Sequence, residues 1–178
     1  MLVLYLLKKM IRIADNFFDY HSWDYYYCIK NLPFYKIDEW QKKTGLTNQT
    51  WPGMRTESIQ EIAPFLFLNV VELMRRKLEM DISYKKNVMF CHARFENDKP
   101  DWIHTDSGYT LLVFMSDTNL ESGTGFFDEN DNMVDRISFV HNRAILFNGQ
   151  QYRHMSLKNF GDSLDNARLT INASFEIK

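Results

Sequence analysis

The sequence predicts a mainly β, α+β protein, a double-sheet jelly-roll barrel built by the second half and flanked by helices from the first. Two observations lead there. After Tyr84 the chain divides into short apolar or alternating runs separated by turn residues, the pattern of a sandwich or barrel. Eight such runs follow one another, as a jelly roll requires. Ahead of them lie two segments with apolar residues at helical spacing. A length of 178 residues suits one domain over 1–178, with 1–87 as the supporting strand and helices and 88–178 as the barrel core.

Taken in order, Ile11-Arg12-Ile13-Ala14 alternates like a short strand, and Asp15-Asn16 ends it with turn-forming side chains. Asp19 to Lys30 reads as a first helix, with Ser22 as a cap and Trp23, Tyr26, Tyr27 and Lys30 at helical spacing. From Asn31 to Thr56 the pattern breaks at Pro33, Gly45, Asn48 and Trp51-Pro52-Gly53, which predicts a long loop. Either it is pinned to the core by Trp40 and Trp51 or it faces a substrate as a lid. Ser58-Ile59-Gln60-Glu61 has the form of a capping box, and Ile62, Leu66, Val70, Leu73, Met74 and Leu78 continue a second helix, with Pro64 tolerated in its first turn. Arg75, Arg76 and Lys77 suit its C-terminal end. The predicted strands are Val88–Phe95, Trp102–Asp106, Tyr109–Met115, Gly125–Phe127, Met133–Phe139, Arg143–Phe147, His154–Leu157 and Arg168–Ile177. Asp128 to Asn132 fails the calcium-loop pattern, with Met133 at the glycine position and Phe139 at the twelfth, and is predicted to be a hairpin turn. Turn chemistry alone accounts for Glu121 to Phe127.

Composition narrows the function. Apolar residues make up 45% and charged residues 25%, with a net charge of −2 and no long basic run, which disfavours nucleic acid as a partner. Cys28 and Cys91 are far apart, each in an apolar segment, and read as reduced thiols in a reducing, cytoplasmic compartment. The apolar run Met1–Leu7 is too short for a bilayer span and has no basic segment before it, so no membrane association is expected. The sequons Asn48-Gln49-Thr50 and Asn172-Ala173-Ser174 are therefore discounted.

The chemistry centres on Trp102-Ile103-His104-Thr105-Asp106. In a strand, His104 and Asp106 project from one face, so two metal ligands converge, and Trp102 joins them as a pocket wall or a core residue. His154 follows 50 residues later, beyond Asn148-Gly149, and Arg168 14 residues after that. Two histidines and one carboxylate leave coordination positions open, as in non-haem iron(II) oxygenases, and a three-ligand zinc site is the chemical competitor. Arg168, with Thr170 on the same strand face, offers a fork and a hydroxyl to a carboxylate, which a zinc hydrolase does not need. His92 and Arg94 share a strand face and either form a satisfied core pair or line the site, with His92 the rival ligand, while His21 and His141 lie in a helix and a turn. Arg143 and Arg153 are poorer clamps than Arg168.

The ordered set His104-Thr105-Asp106, Asn142 to Gly149, His154 and Arg168-Leu169-Thr170 resembles the core of the 2-oxoglutarate- and iron(II)-dependent oxygenases, and is most similar to their small prolyl-hydroxylase-like branch. The similarity runs from about Val88 to Phe175; several members of that branch carry lysine where this chain has Arg168. The resemblance implies a double-stranded β-helix, cupin-like, with His104, Asp106 and His154 as iron(II) ligands. It further implies 2-oxoglutarate chelating the metal, its far carboxylate on Arg168 with Thr170 in support, and dioxygen as co-substrate. The implied reaction hydroxylates a C–H bond and releases succinate and CO2. A peptidyl substrate, prolyl first, is expected, with a small metabolite open. The alternatives are a non-catalytic jelly-roll binding module that keeps a metal and a zinc hydrolase.

Overall fold

The computed structural model describes residues 11–45, 47, 50–80 and 82–177. The apolar run at Met1–Leu7, and Asn48 and Gln49 of the first sequon, lie outside the described residues. In chain order the strands are β1 (Arg12–Ala14), β2 (Phe34–Tyr35), β3 (Met54–Thr56), β4 (Ile82–Arg94), β5 (Tyr109–Phe114), β6 (Asn119–Phe127), β7 (Met133–Phe139), β8 (Ala144–Asn148), β9 (Arg153–Leu157) and β10 (Arg168–Ile177). The helices are α1 (Ser22–Lys30), α2 (Ile37–Thr44), α3 (Ile59–Ile62) and α4 (Pro64–Leu78), with a 3-10 turn at Asp19–His21 before α1. None of them is long and apolar enough to cross a membrane.

The strands form a seven-stranded sheet in the order β1-β8-β5-β10-β4-β3-β2 and a three-stranded sheet in the order β7-β6-β9. A single antiparallel bridge between His104 and His154 extends the smaller sheet past β9. Alternation explains the layering. Leu111, Val113, Leu169 and Ile171 point from the large sheet into a core shared with Ile29, Val70, Met74 and Leu78 of the helices. Their neighbours Leu112 and Phe114 point the other way, into a second core with Phe126, Ile137, Phe139 and Phe147 between the sheets. On β10 this puts Arg168, Thr170 and Asn172 on the face towards the small sheet, where apolar packing gives way to a cavity.

The two-sheet expectation holds, and seven of the eight strands predicted after Tyr84 are present, with local corrections. Trp102–Asp106 is not a regular strand; only His104 pairs, and Asp106 donates its N–H to the Gly149 carbonyl at 3.0 Å. Beginning at Asn119 rather than Gly125, β6 includes the segment assigned to turn chemistry, and β4 begins six residues before Val88. The single helix expected from Ser58 is two helices. Ala63 sits at φ −146°, ψ 61°, because the residue before a proline is pushed out of the helical region, and Pro64 starts α4. No side-chain cap bond comes from Ser58; its carbonyl accepts from Glu61 and Ile62 instead. Ser22 is likewise no cap: it opens α1 with its hydroxyl 3.0 Å from His141 Nε2, and the buried face of the helix is Ser22, Tyr26 and Ile29. The long loop contains β2, α2 and β3. Glu39 accepts the Lys36 N–H at 3.0 Å to start α2, and Gly45 at φ 72° ends it. None of the α2 residues is fully buried, and its apolar stripe is only the half-buried Ile37 and Trp40, too short to announce the helix. Asp128 to Asn132 is the predicted hairpin turn, with the Asn130 and Asn132 N–H groups donating to Asp128 Oδ1 at 2.9 Å.

Candidate metal centre

The mutual bridge between His104 and His154, with N–H···O distances of 3.0 and 2.9 Å, places the two imidazoles side by side, ring centroids 4.5 Å apart. Asp106 completes the group. Its Oδ1 lies 3.6 Å from His104 Nε2 and its Oδ2 3.4 Å from His154 Nε2, and the three prospective ligand atoms all fall within 4.8 Å of one another. Each histidine is oriented through its other nitrogen. His104 Nδ1 donates to the Trp102 carbonyl at 2.8 Å and His154 Nδ1 to the Tyr152 carbonyl at 2.9 Å, leaving both Nε2 lone pairs directed at the shared centre. Burial would raise the Asp106 carboxyl, but His154 and the Thr110 hydroxyl, which donates at 2.6 Å, outweigh it and hold the group at about 2. An ionised carboxylate between two lone pairs is a donor set that fits a divalent ion. Gly149 makes room for it: a Cβ there would stand 2.5 Å from Thr110 Oγ1 and 2.7 Å from Asp106 Cβ.

The same cavity, about 280 Å³, also has Arg168 in its wall. Arg168 is 3% exposed, and its guanidinium donates to Ser122 Oγ at 3.3 Å and the Gly123 carbonyl at 3.1 Å, with the rings of Phe139 and Phe114 at 5.3 and 5.9 Å. Among the described residues no carboxylate pairs with it. Burial lowers the guanidinium to about 9, with Arg94 adding to the effect and Asp101 opposing it. A buried cation with no counter-ion is costly unless an anion arrives, and the Thr124 hydroxyl, buried without a partner, lines the same space. These groups fit a dianionic oxoacid. Thr170, expected beside Arg168, instead donates to Asn172 Oδ1 at 2.6 Å, and Asn172 forms the cavity wall there.

His104, Asp106, His154 and Arg168 thus meet in one cavity, with half-exposed Trp102 at its wall, its ring 6.0 Å from that of His104. His92 also lines it but stands outside the cluster; its Nε2 donates to the Pro52 carbonyl at 2.7 Å, and burial holds the ring well below its usual value, hence neutral. Arg94 pairs with Asp101 at 3.2 Å. The rival arginines are engaged elsewhere, Arg143 with Asp15 and Arg153 with Asp131.

Asp101, Ser122, Gly123 and Arg55 contribute to the site without having been singled out in the sequence. Asp101 neutralises Arg94 and accepts from the Ser156 N–H and hydroxyl, each at 3.1 Å. Ser122 and Gly123 receive Arg168; at Gly123, φ 147°, a Cβ would stand 2.1 Å from the Ile137 carbonyl oxygen, a signal visible as the Ser-Gly-Thr-Gly run. Arg55 and Trp51, from the segment read as loop or lid, line the cavity; the Trp-Pro-Gly turn was the one hint.

No protein-family model matches the chain, and no curated protein sequence does. Solved structures do. A prolyl 4-hydroxylase from Phytophthora capsici superimposes with a TM-score of 0.61 at 14% identity over 95% of this chain, which spans only 59% of that protein's length. A prolyl-4-hydroxylase from Pseudomonas putida gives 0.55 at 8% identity, covering 94% of this chain and 92% of that one. HygX from Streptomyces hygroscopicus, solved with nickel and 2-oxoglutarate bound, gives 0.58 at 7% identity, covering 96% and 85%. The likeness is one of fold: the double-stranded β-helix.

Proposed function

We propose that this protein is an iron(II)- and 2-oxoglutarate-dependent dioxygenase that hydroxylates a C–H bond. The observation that carries the reading is the pairing, in one cavity, of a His-Asp-His donor set with a buried arginine lacking a counter-ion. His104, Asp106 and His154 would hold the metal, and Arg168 would take the far carboxylate of 2-oxoglutarate in a charge-assisted fork. Thr170 would not meet that carboxylate itself; its hydroxyl holds Asn172 in the cavity wall. The bound ion supplies open coordination positions and the redox chemistry that couples dioxygen to oxoacid decarboxylation. The chain's own residues orient the oxoacid, exclude water through the apolar rings of Phe114 and Phe139, and keep both ligand imidazoles in one tautomer.

Support also comes from HygX, whose like fold holds nickel and 2-oxoglutarate. The two prolyl hydroxylases of the same fold favour a peptidyl, prolyl substrate as the first to assay. A zinc hydrolase or a metal-keeping binding module has no use for the uncompensated Arg168. Succinate formation from 2-oxoglutarate under air with added iron(II), lost in both His104→Ala and Asp106→Ala, is the expected result. Retained turnover in both variants would refute the ligand assignment.

A further inference from the structure

A second guanidinium in the cavity has no task under that reading. Arg55, on β3, lies opposite His92 of β4, whereas Arg168, on β10, lies opposite Arg94. The two arginines therefore flank β4 on opposite sides, two strand spacings and two residues apart, about 12 Å between Cα positions. The Trp51 and Phe90 rings lie 4.5 and 4.4 Å from its Cζ, and they engage the π-surface of the guanidinium. The N–H donors at its edge are unused. Among the described residues none bonds to them, and Nε is buried without a partner. Arg94 differs, because Asp101 compensates it.

Charge counting isolates Arg55 further. Arg55, Arg94 and Arg168 share the cavity with Asp101 and Asp106. A divalent ion and a dianionic oxoacid cancel one another, so one positive charge remains after both are seated. Asp101 is taken by Arg94, Asp106 by the donor set, and the oxoacid by Arg168. The remaining charge is at Arg55. A planar cation held between rings with its N–H edge free is built for bidentate capture of a carboxylate.

We propose that Arg55 receives a carboxylate of the molecule to be oxidised, so the substrate class is a compact carboxylic acid, supplied as a free amino acid or as the C-terminal residue of a short peptide. This rests on the dioxygenase reading. The cavity, at about 280 Å³, lies near the lower end of ligand-pocket sizes and must also hold the oxoacid, which limits the substrate to a small molecule or one terminal residue. Trp51 and Phe90 would flank the carboxylate and Trp102 would wall the far side.

The test is calorimetric binding to the full-length protein loaded anaerobically with iron(II) and 2-oxoglutarate. The probes are the free L-amino acids, dipeptides with free C-termini, and the amides of both sets. At least one free acid is expected to bind while its amide does not, and the arm that binds identifies the source. Arg55→Gln should raise that Kd about 10- to 100-fold, the scale of a hydrogen bond to a charged group, and keep the wild-type affinity for 2-oxoglutarate, which also shows that it folds. Arg168→Gln should lose 2-oxoglutarate instead. The proposal is overturned if no free acid binds, if the amides bind equally, if Arg55→Gln binds the acid as wild type does, or if Arg55→Gln loses the oxoacid itself. A wild-type protein that fails to bind 2-oxoglutarate with iron(II) would overturn the underlying reading, and this proposal with it.

Discussion

Replacing Arg168 by methionine should make the protein more stable and at the same time unresponsive to its co-substrate. Burial lowers the Arg168 guanidinium from its ordinary value to about 9, a charging cost of about 5 kcal/mol at about 1.36 kcal/mol per pH unit. The long hydrogen bonds to Ser122 and Gly123 and the two ring contacts return about 3 kcal/mol. The net gain on substitution by an apolar side chain of similar length is about 2 kcal/mol, within the range for replaced buried charges. At about 2–4 °C per kcal/mol for a chain of this size, Arg168→Met should melt about 4–8 °C above wild type without ligand. With iron(II) present throughout, 2-oxoglutarate at a hundred times Kd should add about 2.7 kcal/mol to wild type, which then overtakes or matches the variant, while the variant keeps its metal site but should not respond to the oxoacid. Scanning calorimetry of both proteins, with and without the oxoacid, reads all four states. A variant that melts lower than wild type would show that Arg168 is structural. One that still responds to 2-oxoglutarate would refute its role as the clamp.

Three other perturbations probe the supporting structure. Asp101→Asn leaves Arg94 buried and unpaired and should cost about 3–5 kcal/mol in denaturant unfolding. Burial raises the Asp101 carboxyl, but Arg94 and Ser156 hold it below its ordinary value, so its stabilisation is present above the unfolded value of 3.8 and is lost as pH falls through the folded one; wild type minus variant should therefore shrink in an acid titration. Glu79, exposed at φ 50° beyond the end of α4, occupies a glycine position, and Glu79→Gly should stabilise by about 0.5–1 kcal/mol in the same assay. Gly149→Ala drives a methyl group against Thr110 and Asp106 and should weaken iron(II) binding by about tenfold or more in a chelator competition; unchanged affinity would show that Asp106 is not held as described.

How much of this was legible in the sequence followed from which signals were local. Strands buried on both faces or on one wrote themselves as apolar or alternating runs, so β5, β7, β8, β9 and β10 emerged close to their observed bounds. That His104 and Asp106 stand side by side was legible because a two-residue spacing puts them on one face even where pairing is reduced to a single bridge. What failed was context. With only Ile37 and Trp40 as apolar, half-buried positions, α2 carried too short a stripe to detect. The effect of Pro64 on its predecessor outweighed an otherwise continuous helical pattern. Arg55 and Asp101 each depend on one partner near in sequence, Trp51 and Arg94, and one far away, Phe90 and Ser156, and no spacing rule links such sets. Thr170 shows the limit of face arguments: the side was right, but Asn172 two residues on claimed the hydroxyl.

The central claim, that one cavity joins a metal to an oxoacid, is tested most directly by anaerobic titration of metal-free protein with iron(II), then 2-oxoglutarate, followed by visible absorption. A charge-transfer band that appears only when both are present, is absent in Arg168→Met at the same concentrations, and bleaches with succinate release on admitting oxygen is the predicted result. Iron(II) binding with no band and no 2-oxoglutarate affinity would contradict the claim and leave the centre as a metal site of another kind.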